Sequence, residues 1–190
     1  CNMHKRIISF LSLLTALLVL GSCGAPRKGT SGGTESTGTT SAEGPSASQW
    51  RSGVKGTWIL NSVTRENIPS SYTVKNMFDE APVDCFIGSQ WDLPGGNQRG
   101  SITFNAEGNL CASGTVRTIV WSIFNPGKTG GQPSFQFKKI YAGDKASNVT
   151  SGYRLDLSYA DENSLEMRLP VALNDGKNGN LVLKFSRAGE

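Results

Sequence analysis

The sequence predicts an all-β protein, an eight-stranded antiparallel up-and-down β-barrel, on three observations. Between Gly56 and Arg187, short apolar segments alternate with period two. Turns rich in Gly, Pro, Asn and Asp separate them, and no long helical pattern intervenes. The first and last segments each carry an apolar face, so the sheet has the means to close, and only closure removes exposed edges. Eight strands enclose an interior that side chains fill or that holds one small ligand. A two-sheet sandwich is the alternative arrangement of the same segments.

Ahead of the barrel lie two segments of another kind. Residues 1–22 read as a secretory signal. Met3, the apparent initiator, is followed by basic Lys5 and Arg6, then by the nearly all apolar Ile7–Leu20, then by Gly21 and Ser22. That apolar run falls short of the roughly 20 residues a membrane span requires. Leu20-Gly21-Ser22-Cys23 resembles the bacterial lipobox, which implies a lipid on the Cys23 thiol and cleavage just before it. Acyl chains contribute about 0.8 kcal/mol per buried CH₂, so more than one chain anchors a protein to the lipid bilayer. Gly24 follows, without an aspartate to favour the inner membrane, and the next charges, Arg27 and Lys28, are basic. By that resemblance the protein is expected at the outer membrane, facing the periplasm. Residues 23–52 are dominated by Gly, Ser, Thr, Ala and Pro and read as a disordered tether, with Trp50 docking weakly near its end. The barrel domain is expected over 53–190.

The strands follow in order. Gly56–Val63 is the first, with Trp58, Leu60 and Ser62 on one face and Ile59 and Val63 on the other. Tyr72–Phe78 is read as a short helix before Pro82. Phe86–Leu93 is the second strand, stopped by Pro94-Gly95-Gly96-Asn97, and Gly100–Phe104 is the third. Thr115–Phe124, Phe135–Tyr141 and Arg154–Tyr159 are the fourth to sixth. Ser164–Leu169 returns after the turn Ala160–Asn163, and Leu181–Arg187 is the last.

Here the residues reach a family. Gly56-Thr57-Trp58 resembles the Gly-x-Trp signature of lipocalins, in which the Trp packs across the closed end and an Arg of the last strand covers its ring. Arg187 has the position and face for that role. Residues 55–187 are similar to small bacterial lipocalin-like lipoproteins, including their Cys-Phe-x-Gly-Ser-x-Trp run, here Cys85 to Trp91. The helix that lipocalins place before their final strand is missing, because Pro170–Gly179 is too short and Gly-rich. The resemblance therefore implies the fold more than any particular ligand.

Cys85 and Cys111 remain once Cys23 is lipidated, and in an oxidising periplasm they are expected to pair. The alternative is two buried thiols. Catalysis is not expected: His4, the single histidine, lies in the leader, so the commonest general base is missing from the processed chain. No phosphate loop or nucleophile elbow occurs. Two cysteines and no processed histidine offer a metal too little, and no cofactor is implied. The 19 Lys and Arg include Lys5 and Arg6, leaving 17 basic against 15 acidic side chains, scattered rather than clustered, which excludes nucleic acid.

Two functions remain. One is a binder of a small hydrophobic or lipid-like molecule inside the barrel. Its lining would come from Phe104, Val120, Phe135, Phe137, Leu155, Leu157, Leu165, Met167, Leu183 and Phe185. Each is also an ordinary core position, because inward residues are apolar whether or not a cavity exists. Arg117, if inward, would meet a carboxylate head group; an outward, solvated side chain is the plainer reading. The other function is an accessory subunit of an outer-membrane complex, a filled barrel using its polar loops Gly127–Pro133 and Ala142–Ser151 against an envelope protein partner.

Overall fold

The computed structural model describes residues 44–95 and 98–189. The signal segment, Cys23 and residues 24–43 of the expected tether lie outside them. The strands are β1 (Gly56–Glu66), β2 (Gln90–Leu93), β3 (Arg99–Thr103), β4 (Val116–Phe124), β5 (Ser134–Ile140), β6 (Tyr153–Ala160), β7 (Ser164–Ala172) and β8 (Asn178–Arg187). They form one closed barrel in chain order, every neighbour antiparallel, with β8 returning to pair with β1. Trp58 sits opposite Arg187 in that closing pair.

Alternation builds the core. Ile119, Trp121 and Ile123 of β4, Phe135 and Phe137 of β5, Leu155 and Leu157 of β6, and Leu165 and Met167 of β7 are all buried. Leu181, Leu183 and Phe185 complete the inner wall from β8. At about 25 cal/mol per Å² of apolar surface removed from water, this continuous cluster is the main term holding the ring shut. Val120 is the exception among the expected lining residues. It follows buried Ile119 and precedes buried Trp121, so the pleat turns it to the outer face, where it borders a groove with Gln136, Lys138 and Arg154.

Three local expectations need correcting. The tether ends sooner than 52, because Ala47–Val54 is an α-helix, α1. Ser46 and Gln49 form a capping box at its start, and Trp50 and Val54, one turn apart, bury the same face in the barrel core. Tyr72–Phe78 is not a helix but an extended strap that ends in the tight bridge Met77–Ala81. The second strand starts at Gln90 rather than Phe86, because Val83–Phe86 winds into a 3₁₀ turn that buries Cys85 and Phe86. Val63 is also relocated: a bulge between Leu60 and Ser62 reverses the alternation and sets Val63 opposite inward Leu183, against the core.

Candidate functional site

The up-and-down order sorts the connections between two ends. At one end the chain enters β1 and leaves β8; at the other, β1 runs out into the long connection 67–89.

The entering end is sealed by its own strands and helix. Trp58 is fully buried and donates its indole Nε1–H to the Val54 carbonyl at 2.8 Å. The Arg187 guanidinium lies 4.2 Å from the Trp58 ring centroid, a cation–π contact contributing roughly 0.5–2 kcal/mol. Arg187 also donates to the carbonyls of Glu162 and Lys55, tying the β6–β7 turn and the helix exit to the seal. Gly56 explains itself at this point. Its φ is 137°, and a Cβ there would lie 2.0 Å from Arg187 Nη1, so a side chain would evict the guanidinium.

The opposite mouth is filled differently. The strap from Tyr72 crosses it, held by the Tyr72 hydroxyl on the Ala172 carbonyl at 2.9 Å and by Arg65 on the Tyr72 carbonyl. At its tip Phe78 enters the barrel among four aromatic rings: Phe86, Trp91, Phe137 and Tyr153, with centroids 5.0–6.0 Å away and edge-on geometry. Phe78 and Asp79 both take the left-handed conformation, φ 54° and 48°. For residues with a Cβ that is strained backbone, of order 1–3 kcal/mol each, and it persists only where the surroundings enforce it.

The surroundings do so with charge. Glu80 reaches inward and places Oε1 2.5 Å from Arg117 Nη2 and Oε2 2.9 Å from Lys139 Nζ. Lys139 also donates to the Phe78 carbonyl at 2.8 Å. Arg117 continues the inward row of Ile119 and Trp121, and Lys139 that of Phe135 and Phe137; both are largely buried. Arg117 is therefore inward, contrary to the plainer sequence reading, and lies 4.5 Å from the Tyr141 ring centroid. Burial pushes the Glu80 carboxyl up, but hydrogen bonds from Arg117 and Lys139 outweigh it and leave the group below the usual carboxylate range. For Lys139, burial acts downward, and Glu80 together with Tyr141 and Tyr153 more than reverses it. Arg117 is held up by its hydrogen bond to Glu80.

Little space remains inside. Between Phe78, Phe86, Phe104, Phe137 and the charged pair lies a void of about 10 Å³, at the lower limit for a single water. Open clefts flank the strap instead. One of about 520 Å³ is lined by Phe78, Tyr153, Leu169, Val171 and Leu181, and one of about 390 Å³ by Val63, Val74, Val83 and Leu181. Phe104, Phe135, Phe137, Leu155, Leu157, Leu165, Met167, Leu183 and Phe185 are thus packed core in this structure. Cys85 and Cys111 are joined by a disulfide that ties the 3₁₀ turn to the loop between β3 and β4 at the mouth.

The sequence alone assigns no site role to Phe78, Glu80 or Lys139: Asp79-Glu80 reads as a solvated turn and Lys138-Lys139 as a solvated strand edge. Lys139 was legible from its parity with Phe135 and Phe137; nothing in Phe78-Asp79-Glu80 announces an inward turn. Among the described residues, no group of His, Cys, Asp and Glu is arranged to hold a metal ion, and no helix is long and apolar enough to cross a membrane. No protein-family model, curated protein or solved structure matches the chain.

Proposed function

We propose that this chain is a lipocalin-like lipoprotein of a bacterial envelope, anchored through Cys23. In this reading it takes a small hydrophobic or lipid-like ligand into the barrel mouth where the Phe78 turn now sits. The closed eight-stranded barrel is compatible with that role. The observation that carries the reading is the kind of part that fills the mouth. A strap on strained backbone, flanked by open clefts, occupies the space among Phe86, Trp91, Phe137 and Tyr153. Parts with few regular hydrogen bonds open at lower free energy than strands do, so this one is displaceable while the wall stands. The Trp58–Arg187 seal and the lipobox-like leader support the family and the address.

Native mass spectrometry of the chain purified gently from its membrane tests this. A retained lipid-like molecule is the expected result. A barrel that carries none, and takes up no apolar probe even as the Phe78→Ala variant, would sink the reading. The residual void of about 10 Å³ favours a second one, a filled accessory subunit of an envelope complex. Its signature in the same spectrum is a stoichiometric protein partner with no lipid.

A further inference from the structure

Two cations facing into the end of an apolar barrel cost desolvation and are retained only when an anion meets them. Here the anion comes from the chain itself. Arg117 and Lys139, from adjacent strands, each take one oxygen of the Glu80 carboxylate, and two residues earlier Phe78 fills the aromatic site beneath. The turn thus offers the barrel an apolar ring and a carboxylate from one short segment. That is the chemistry of an amphipathic acid, delivered on a tether.

The fit is incomplete in an informative way. Arg117 Nε is buried and has no acceptor, because Glu80 engages the guanidinium only through Nη2. A carboxylate not tied to a backbone can approach a guanidinium side-on and accept from two N–H groups at once. The tethered group also brings two left-handed residues that a free ligand would release. An apolar body longer than a phenyl ring has room to continue into the cleft lined by Phe78, Tyr153, Leu169, Val171 and Leu181.

We infer that the Phe78–Glu80 turn is an internal surrogate ligand, and that the barrel's ligand is an amphipathic carboxylic acid. Its head group takes the place of Glu80 on Arg117 and Lys139, and its apolar body takes the place of Phe78. This rests on the ligand-binding reading and adds the head-group chemistry to it.

The probe is 4-phenylbutanoate, with 4-phenylbutanamide as its uncharged counterpart, titrated by calorimetry against the full chain and its Glu80→Gln variant. Removing the internal anion should tighten binding of both probes, by about tenfold if the open mouth is about a tenth of the population, and the acid should bind the more tightly of the two to both proteins. On the unsubstituted chain, the acid should speed hydrogen exchange at the amides of Met77 and Glu80, which bond to Ala81 and Met77 within the turn. At equal concentration the amide should do so less. That second measurement decides the matter if the variant fails to fold. Equal binding of acid and amide overturns the head-group inference and leaves an apolar binder standing. Failure of both probes to bind the folded chain, the Glu80→Gln variant and the Phe78→Ala variant overturns the binder as well.

Discussion

The two ends of this barrel both insert an aromatic side chain and both use arginine, yet they are built on opposite terms. At the sealed end Trp58 comes from a strand, bonds a helix carbonyl, and is covered by an Arg from the neighbouring strand. The positive φ needed there is given to Gly56, which adopts it without cost from a Cβ. At the mouth the aromatic comes from a loop, and the positive φ falls on Phe78 and Asp79. A position that only needed the bend would favour Gly or Asn. This one keeps a phenyl ring and spends conformational strain to aim it, which is the pattern of a part with a second state rather than of a stopper.

Breaking the comparison at its strong end gives the largest effect. Trp58→Ala removes a fully buried indole from a ring with no slack, and about 3–5 kcal/mol of stability should go with it, read by urea denaturation. Phe78→Ala, although also a buried aromatic, should cost only about 1–2 kcal/mol. Its loss is capped by the free energy of letting the strap detach. Equal losses at the two positions would mean that the mouth folds as part of the wall, and the displaceable turn would be abandoned.

The disulfide sharpens the contrast on the mouth side. Cys85 and Cys111 are separated by 26 residues, so in the chain-entropy model the bridge contributes about 3–4 kcal/mol by restricting the unfolded chain. Replacing both by Ser should lower global stability by about that amount while leaving the Trp58 fluorescence environment native below the transition. If the sealed end loosened with the reduced protein, the two ends would not be independent.

What the sequence made legible follows this same division. The wall was readable because a strand's period is two, so Leu155, Leu157, Leu165, Met167, Leu183 and Phe185 declare their face from spacing alone. The Trp58 and Arg187 pairing was readable as a resemblance and is a direct neighbour contact in the closing register. Failures came where another rule overrode alternation. The bulge after Leu60 inverted Val63, and no residue type there marks it. Apolarity points Val120 inward, but the parity of Ile119 and Trp121 turns it out. Charge points Arg117 outward, but the same parity turns it in. The helix α1 was masked by a Ser- and Gly-rich stretch, although Ser46-x-x-Gln49 and the Trp50/Val54 spacing were both present. The mouth was illegible because its geometry depends on tertiary contacts: Glu80 turns inward only where two cations already wait.

The smallest expected effect tests that last contact. The Glu80 carboxyl is depressed in the folded chain, so its pairing adds stability that is fully present above the ordinary carboxylate pKa and is lost as pH falls through the lower folded value. Lys139 is raised, so its share is present below the ordinary lysine range and is lost as pH rises through the higher folded value. Between those limits the latch is intact. Hydrogen exchange at Met77 and Glu80, corrected for the intrinsic pH dependence of exchange, should therefore accelerate on the acid side of the carboxylate range. Exchange within β1 and β8 around Trp58 should respond far less, since that seal is an arginine over a ring and on two backbone carbonyls, with Asp161 acting on it only from the exposed β6–β7 turn. Glu80→Gln should abolish the acid dependence at the turn, because the group that takes up the proton is then missing. Acid opening that persisted in the variant would mean that Glu80 does not hold the turn, and the latch would be abandoned.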